Sequence, residues 1–109
     1  MTAIFNGKML IDGELVESES GQRFESFNPV NEEVIGSVPL ATAKDVESAY
    51  HAAKRAQLEW AKTDMGYRIK VMTRFAQALD ERKEEIAELE VRDTGNTIGP
   101  MKQDVVTAA

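Results

Sequence analysis

Few residue types in this 109-residue chain could do covalent or metal chemistry, and their spacing argues mostly against it. There is one histidine, His51, and there are no cysteines. Without cysteine the chain has no disulfide, no thiolate metal site and no thiol nucleophile. His51 has no second histidine at ligand spacing and no identifiable orienting partner. A solvated or half-buried structural role is therefore expected, not general-base or zinc chemistry. Asp80, Glu84 and Glu88 recur at helical spacing, with Glu81 and Glu85 beside them. Calcium prefers oxygens from a bending loop, which such a helix does not supply. A solvated acidic face, partly offset by Arg82, Lys83 and Arg92, is the simpler account. Ser18, Ser20, Ser26, Ser37 and Ser48 lack the G-x-S-x-G turn that exposes a serine nucleophile. The seven glycines never fall as G-x-G, so there is no dinucleotide fingerprint or phosphate loop. Tyr50, Trp60, Met65 and Met72 could line an aromatic and thioether pocket, but core packing is expected of them.

The bulk numbers fit that restraint. Apolar residues make up 42% and charged residues 29%, which is globular, and the length suits one domain at most. The net charge of −6 disfavours a phosphate backbone as partner, so no nucleic acid is expected. MTAIFNGKML has no signal-peptide core, and no apolar run approaches the roughly 20 residues that span a bilayer. The expectation is a soluble, cytoplasmic protein.

The elements that would position any site fall into two stretches. The first forty residues read as hairpins. Asp12-Gly13 tolerates the positive φ of a tight turn, which predicts strands over Lys8–Ile11 and Glu14–Glu17. A polar loop over Glu19–Gln22 follows, then an extended RFESF broken by Asn28-Pro29. EEVIGSVPLA resumes as a strand carrying Val34, Ile35 and Val38; Pro39 either ends it or places it at an edge.

The remainder reads as helices. Thr42-Ala43-Lys44-Asp45 is a capping-box start, and the helix should run to about Ala61 with Val46, Ala49, Tyr50, Ala53 and Trp60 on its apolar face. Thr63 or Asp64 caps a second helix whose stripe is Met72, Phe75, Ala76 and Leu79, with Arg68, Lys70 and Arg74 nearer water. The pattern breaks around Glu81–Lys83 and restarts with Ile86, Ala87 and Leu89. Gly95 is the stop, and Gly99-Pro100 opens the last helix with proline in its first turn. The fold class is α+β: short hairpins followed by helices.

The order of these motifs goes further than any one residue. The "DG" hairpin, the "FNP" turn, the strand EVIGSVPLA, the helix DVESAYHAAKRAQLEWA and RFAQALDERKEEIAELEVRDTG together resemble the amino-terminal segment of the NAD(P)-dependent aldehyde dehydrogenase superfamily. Departures are small: Leu15 stands where tryptophan is common, Asn31-Glu32 where Thr-Gly is common, Asn96-Thr97 where Lys-Pro is common, and Met65-Gly66-Tyr67 replaces a proline, alanine and acidic start.

The resemblance implies that residues 1–109 are the entrance to a Rossmann-like cofactor-binding domain, ending inside a longer family helix at IGPMKQDVVTAA. It implies aldehyde oxidation in the complete enzyme. A downstream cysteine thiolate attacks the aldehyde, hydride leaves to NAD or NADP, and glutamate-activated water hydrolyses the thioester. No residue of this chain carries those steps, so none is a catalytic or cofactor-binding candidate and the chain alone is expected to be inactive. The resemblance implies one local site, for a monovalent cation, held by backbone carbonyls of Ser26 and Phe27 and the Asp93 side chain; oxygen donors suit such a hard ion. It also implies an aldehyde substrate and a homo-oligomer. The alternative is a stand-alone interaction module built from the same segment. Either way the short strands offer little surface to cover the helical stripes, so an exposed apolar patch is expected.

Overall fold

In the computed structural model, which describes residues 4–109, five short strands precede four helices: β1 (Phe5–Asn6), β2 (Met9–Ile11), β3 (Glu14–Val16), β4 (Arg23–Phe27), β5 (Val34–Pro39), α1 (Ala43–Trp60), α2 (Met65–Glu81), α3 (Lys83–Thr94) and α4 (Ile98–Ala108). The α+β class is as expected. The elements divide into two units, one comprising residues up to Ser26 and Val34–Lys62, the other Phe27–Glu33 and Thr63–Ala109.

In the first unit, Asp12 and Gly13 take φ values of 53° and 80°, the mirror-image turn that matches the twist of paired strands. They join β2 to β3, which pair antiparallel with Leu10 opposite Leu15. Each strand is one residue shorter than expected at its open end. The hairpin reading of the whole first forty residues needs correcting. β1, β5 and β4 form a separate three-stranded sheet in that order, and β1 runs parallel to β5 with Phe5 opposite Gly36. Two residues are too few to show periodicity, so β1 left no sequence signal. Its fit depends on Gly36: a Cβ there would collide with the Phe5 carbonyl oxygen and lie 2.8 Å from Phe5 Cβ. Pro39 does end β5, yet that strand is the central one. A proline is tolerated because pairing passes to the next amide, Leu40, which donates to Gln22 at 2.8 Å.

Helix α1 begins at the predicted Thr42 capping box and ends one residue short of Ala61. Asp45 and Ala52 are buried and Ala49 and Trp60 half-buried, so only Ala49 and Trp60 of the predicted stripe are covered. Val46, Tyr50 and Ala53 face water. Apolar periodicity identified the helix, but a polar anchor at Asp45 fixed its rotation.

In the second unit, Asp64 caps α2 by accepting from the Tyr67 amide at 2.9 Å. No α2 residue is fully buried. Met72 and Phe75 of the predicted stripe are exposed, Ala76 and Leu79 half-buried, and Arg68 is half-buried and bonded to Thr63. The break falls at Arg82 (φ −109°, ψ 13°), as expected. Helix α3 stops at Gly95, left-handed at φ 75°, whose amide donates to Val91 at 2.9 Å. Pro100 sits in the first turn of α4, where its missing amide costs nothing. The core is small: Ala87 from α3 against Met101 and Val105 from α4, flanked by Ile86 and Val91. An ion pair between Lys102 and Glu84 crosses the same helix pair at 2.5 Å.

The expectation of open helical faces holds for α1 and α2 but not for α4, which α3 covers. Core packing was expected of Tyr50, Met65 and Met72; that is overturned within this chain, where all three are more than half exposed. Helical spacing shows that a face is apolar and not what lies against it.

Candidate functional site

The most highly coordinated carboxylate is Asp45, third residue of α1. Its own amide donates to the Thr42 hydroxyl at 3.2 Å, and its carboxylate accepts from the Thr42 amide at 2.8 Å. That capping box was legible in the sequence. The tertiary partners were not: the buried Ser18 hydroxyl donates to Asp45 at 2.8 Å, and the Glu19 amide lies 3.2 Å away. These donors, the Thr42 amide foremost, hold the carboxyl down at about 2 against the opposing effect of burial. Ionised at neutral pH, fully bonded and aimed at its own helix end, Asp45 is a structural anchor and not an acid or base for chemistry.

Arg23 is a second hub that the sequence gave no reason to single out. From β4 its guanidinium donates to the Ser37 hydroxyl at 3.0 Å, the Gly7 carbonyl at 2.8 Å and the Ser37 carbonyl at 2.9 Å. It also reaches Asn6 and pairs with Glu17. The planar fork binds several acceptors at once and fastens β1 and the end of the hairpin to the sheet. Its only advance signal was that an arginine opened an otherwise ordinary strand.

Of the implied cation ligands, Ser26 is half-buried and Phe27 exposed, both at the end of β4; Asp93 lies exposed in the last turn of α3. Phe27 and Asp93 belong to the second unit and Ser26 to the first. Within the second unit the loop after Phe27 is tightly made. The Asn28 amide donates to Glu33 at 2.8 Å, and the Glu32 amide to Asn28 at 2.8 Å. Pro29 lies 3.0 Å from where a Gly95 Cβ would stand, so this loop abuts the carboxyl end of α3. Glu32, where the resembled family often has glycine, sits at φ 61°.

His51 is exposed, as its structural reading allows. It lies 3.6 Å from Glu47 and edge-on to Tyr50 at 5.4 Å. With Ile11, Asp12, Lys44, Glu47, Ser48, Ala52 and Arg55 it lines an open groove of about 500 Å³ beneath the hairpin turn. The groove's Arg55 and Lys44 are already engaged, with Asp12 and Glu19. Three acidic residues of the α2–α3 region are paired similarly, Asp80 with Lys83, Glu85 with Arg82 and Glu84 with Lys102. Pairing with Arg82 lowers the Glu85 carboxyl below its usual range. Among the described residues no group of three or more His, Cys, Asp or Glu could hold a metal, and no helix is long and apolar enough to cross a membrane.

Comparison with known proteins places this sheet-and-helix scaffold. The aldehyde dehydrogenase family model matches residues 15–109. The chain is 38% identical over 112 residues to vanillin dehydrogenase of Corynebacterium glutamicum, covering 99% of this chain and 23% of that protein. An NAD-dependent aldehyde dehydrogenase from Sinorhizobium meliloti matches 95% of the chain at a TM-score of 0.92 and 29% identity, over 21% of its own length. An NAD-dependent benzaldehyde dehydrogenase from Corynebacterium glutamicum matches 93% at a TM-score of 0.86 and 37% identity, over 22% of its own length. This chain belongs to the aldehyde dehydrogenase family. It spans about a fifth of the length of the relatives it matches.

Proposed function

We propose that this chain is the amino-terminal segment of the cofactor-binding domain of an NAD(P)-dependent aldehyde dehydrogenase. The complete enzyme oxidises an aldehyde to a carboxylic acid through a cysteine thiohemiacetal and thioester, as a cytoplasmic homo-oligomer. The observation that carries this reading is the family match over residues 15–109 in a chain about a fifth as long as its relatives. Two facts support an inactive segment: the chain has no cysteine, and no glycine-rich strand-to-helix turn occurs among its residues. Without that turn the residues present do not fit a dinucleotide. The exposed faces of α1 and α2 support a segment that docks against more protein.

The test is an assay of NAD- and NADP-dependent aldehyde oxidation by the 109-residue chain and by the product of the complete reading frame. The long product should turn over and the chain should not. Turnover by the chain alone overturns the reading. A stop codon directly after Ala109 selects the second reading, a stand-alone interaction module, which the same exposed faces would serve.

Within the complete enzyme, the carbonyls of Ser26 and Phe27 and the Asp93 carboxylate hold a monovalent cation. The observation that favours this is that loop 28–33, which follows Phe27, abuts the carboxyl end of α3, where Asp93 stands. In the full enzyme, Asp93→Ala should abolish the dependence of thermal stability on potassium or sodium; an unchanged dependence removes the idea.

A further inference from the structure

The β2–β3 hairpin is a sheet of its own, apart from the three-stranded one. Its cross-strand pair Leu10 and Leu15 points to water, at 69% and 68% exposure, and Met9, Ile11 and Val16 are only half-buried. Apolar burial therefore secures it poorly. Polar contacts do most of the fastening. Asp12 in the turn pairs with Arg55 of α1 at 3.3 Å, Glu17 pairs with Arg23 of β4, and Glu19 pairs with Lys44 of α1. The Asp12–Arg55 and Glu19–Lys44 pairs are open to solvent and screened by salt, and Arg23 of the third is half-buried. The Ser18–Asp45 hydrogen bond is different, because both residues are buried.

We propose that the hairpin is a releasable flap and that the Ser18–Asp45–Thr42 junction is its acid-sensitive latch, opening while α1 and the three-stranded sheet stay folded. The Asp45 carboxylate accepts from Ser18 and Glu19 on the flap side and from Thr42 on the helix side. Protonation turns one oxygen of an acceptor-only carboxylate into a donor beside the Glu19 and Thr42 amides, which cannot accept, and removes the charge that strengthens each bond. The charged groups facing the junction are Glu19 from the hairpin exit and Lys44 on α1; Glu47, His51 and Arg55 lie further along α1 in the groove beneath the turn. The Asp45 carboxyl lies at about 2 in the fold against 3.8 ordinarily, so the latch is intact above pH 4 and fails as pH falls from there through 2.

Amide-exchange protection across the full chain tests this. In Asp45→Asn, protection over residues 9–19 should fall about tenfold or more, while that of β5 and the middle of α1 holds within about twofold. The unsubstituted protein should show the same regional loss on moving from pH about 5 to about 2.5. An equal loss across hairpin, β5 and α1, or an unchanged hairpin, overturns the proposal. Ser18→Ala deletes a single donor and keeps the helix cap, so it decides the matter if Asp45→Asn does not fold: the loss must still be confined to the hairpin.

Discussion

Asp45 in the first unit and Ala87 in the second both lie out of water, for opposite reasons. Around Asp45 the chain gathers donors: a hydroxyl from Ser18, amides from Glu19 and Thr42. Close by, Arg23 gathers acceptors from β1, β5 and the hairpin exit. The first unit is thus pinned by two polar hubs, and among its described residues the buried apolar side chains are few: Ile35, Pro39 and Ala52. Ala87 is fully buried against Met101 and Val105 with no polar group among them. The second unit is held by close approach of two helices at a small residue. Polar hubs depend on geometry, charge and pH; a small apolar contact depends on volume. Each unit should therefore fail to a different perturbation.

The largest effect is expected where geometry leaves no room. Gly36→Ala would drive a Cβ into the Phe5 backbone, and backbone cannot rotate away as a side chain can. It should detach β1 and cost about 3 kcal/mol. Trp60, the single tryptophan, lies in the first unit, so its fluorescence during urea unfolding should report the loss; an unchanged midpoint would show that β1 contributes nothing. Next is Met101→Ala, about 2 kcal/mol, the low end for a buried methionine because so few neighbours surround it. Its signature is regional: amide protection at Ala87 should fall while the Trp60 signal keeps its midpoint. Joint movement of both probes would mean that the units do not respond separately.

A smaller loss, about 1 kcal/mol, is expected for Arg23→Lys, which keeps the charge but not the fork that reaches β1, β5 and Glu17 together. The Asn6 and Gly7 amide resonances should shift most; if lysine serves as well as arginine, charge and not geometry is what that hub supplies. The smallest change runs the other way. Glu32 is held at φ 61°, where a side chain is strained, so Glu32→Gly should stabilise the second unit by about 0.5–1 kcal/mol. A lower melting temperature would show that the Glu32 side chain supports the loop after all.

Much of this was legible in the sequence wherever the determining contact is local. Asp12-Gly13 made its turn, Thr42 and Asp64 capped their helices, the break came at Arg82, and Gly95 ended α3. Each is decided within about four residues, by φ preference or by an orphan amide finding a nearby oxygen. The ordered series of such signals also pointed to the aldehyde dehydrogenase family. Partners at long range were hidden. Ser18 and Asp45 are 27 residues apart, Arg23 and Asn6 are 17 apart, and no periodicity links them.

Sequence by itself determined the element types, most of their ends and the family, because these follow from local backbone chemistry repeated in a fixed order. Tertiary structure alone decided which side of each helix is covered. Val46, Tyr50, Met72 and Phe75 have the spacing of a core stripe and still face water, while Asp45 is buried. A stripe of apolar residues fixes a preference for burial. Only neighbours brought from elsewhere in the chain, such as Ser18 on α1 or Met101 on α3, determine where burial happens.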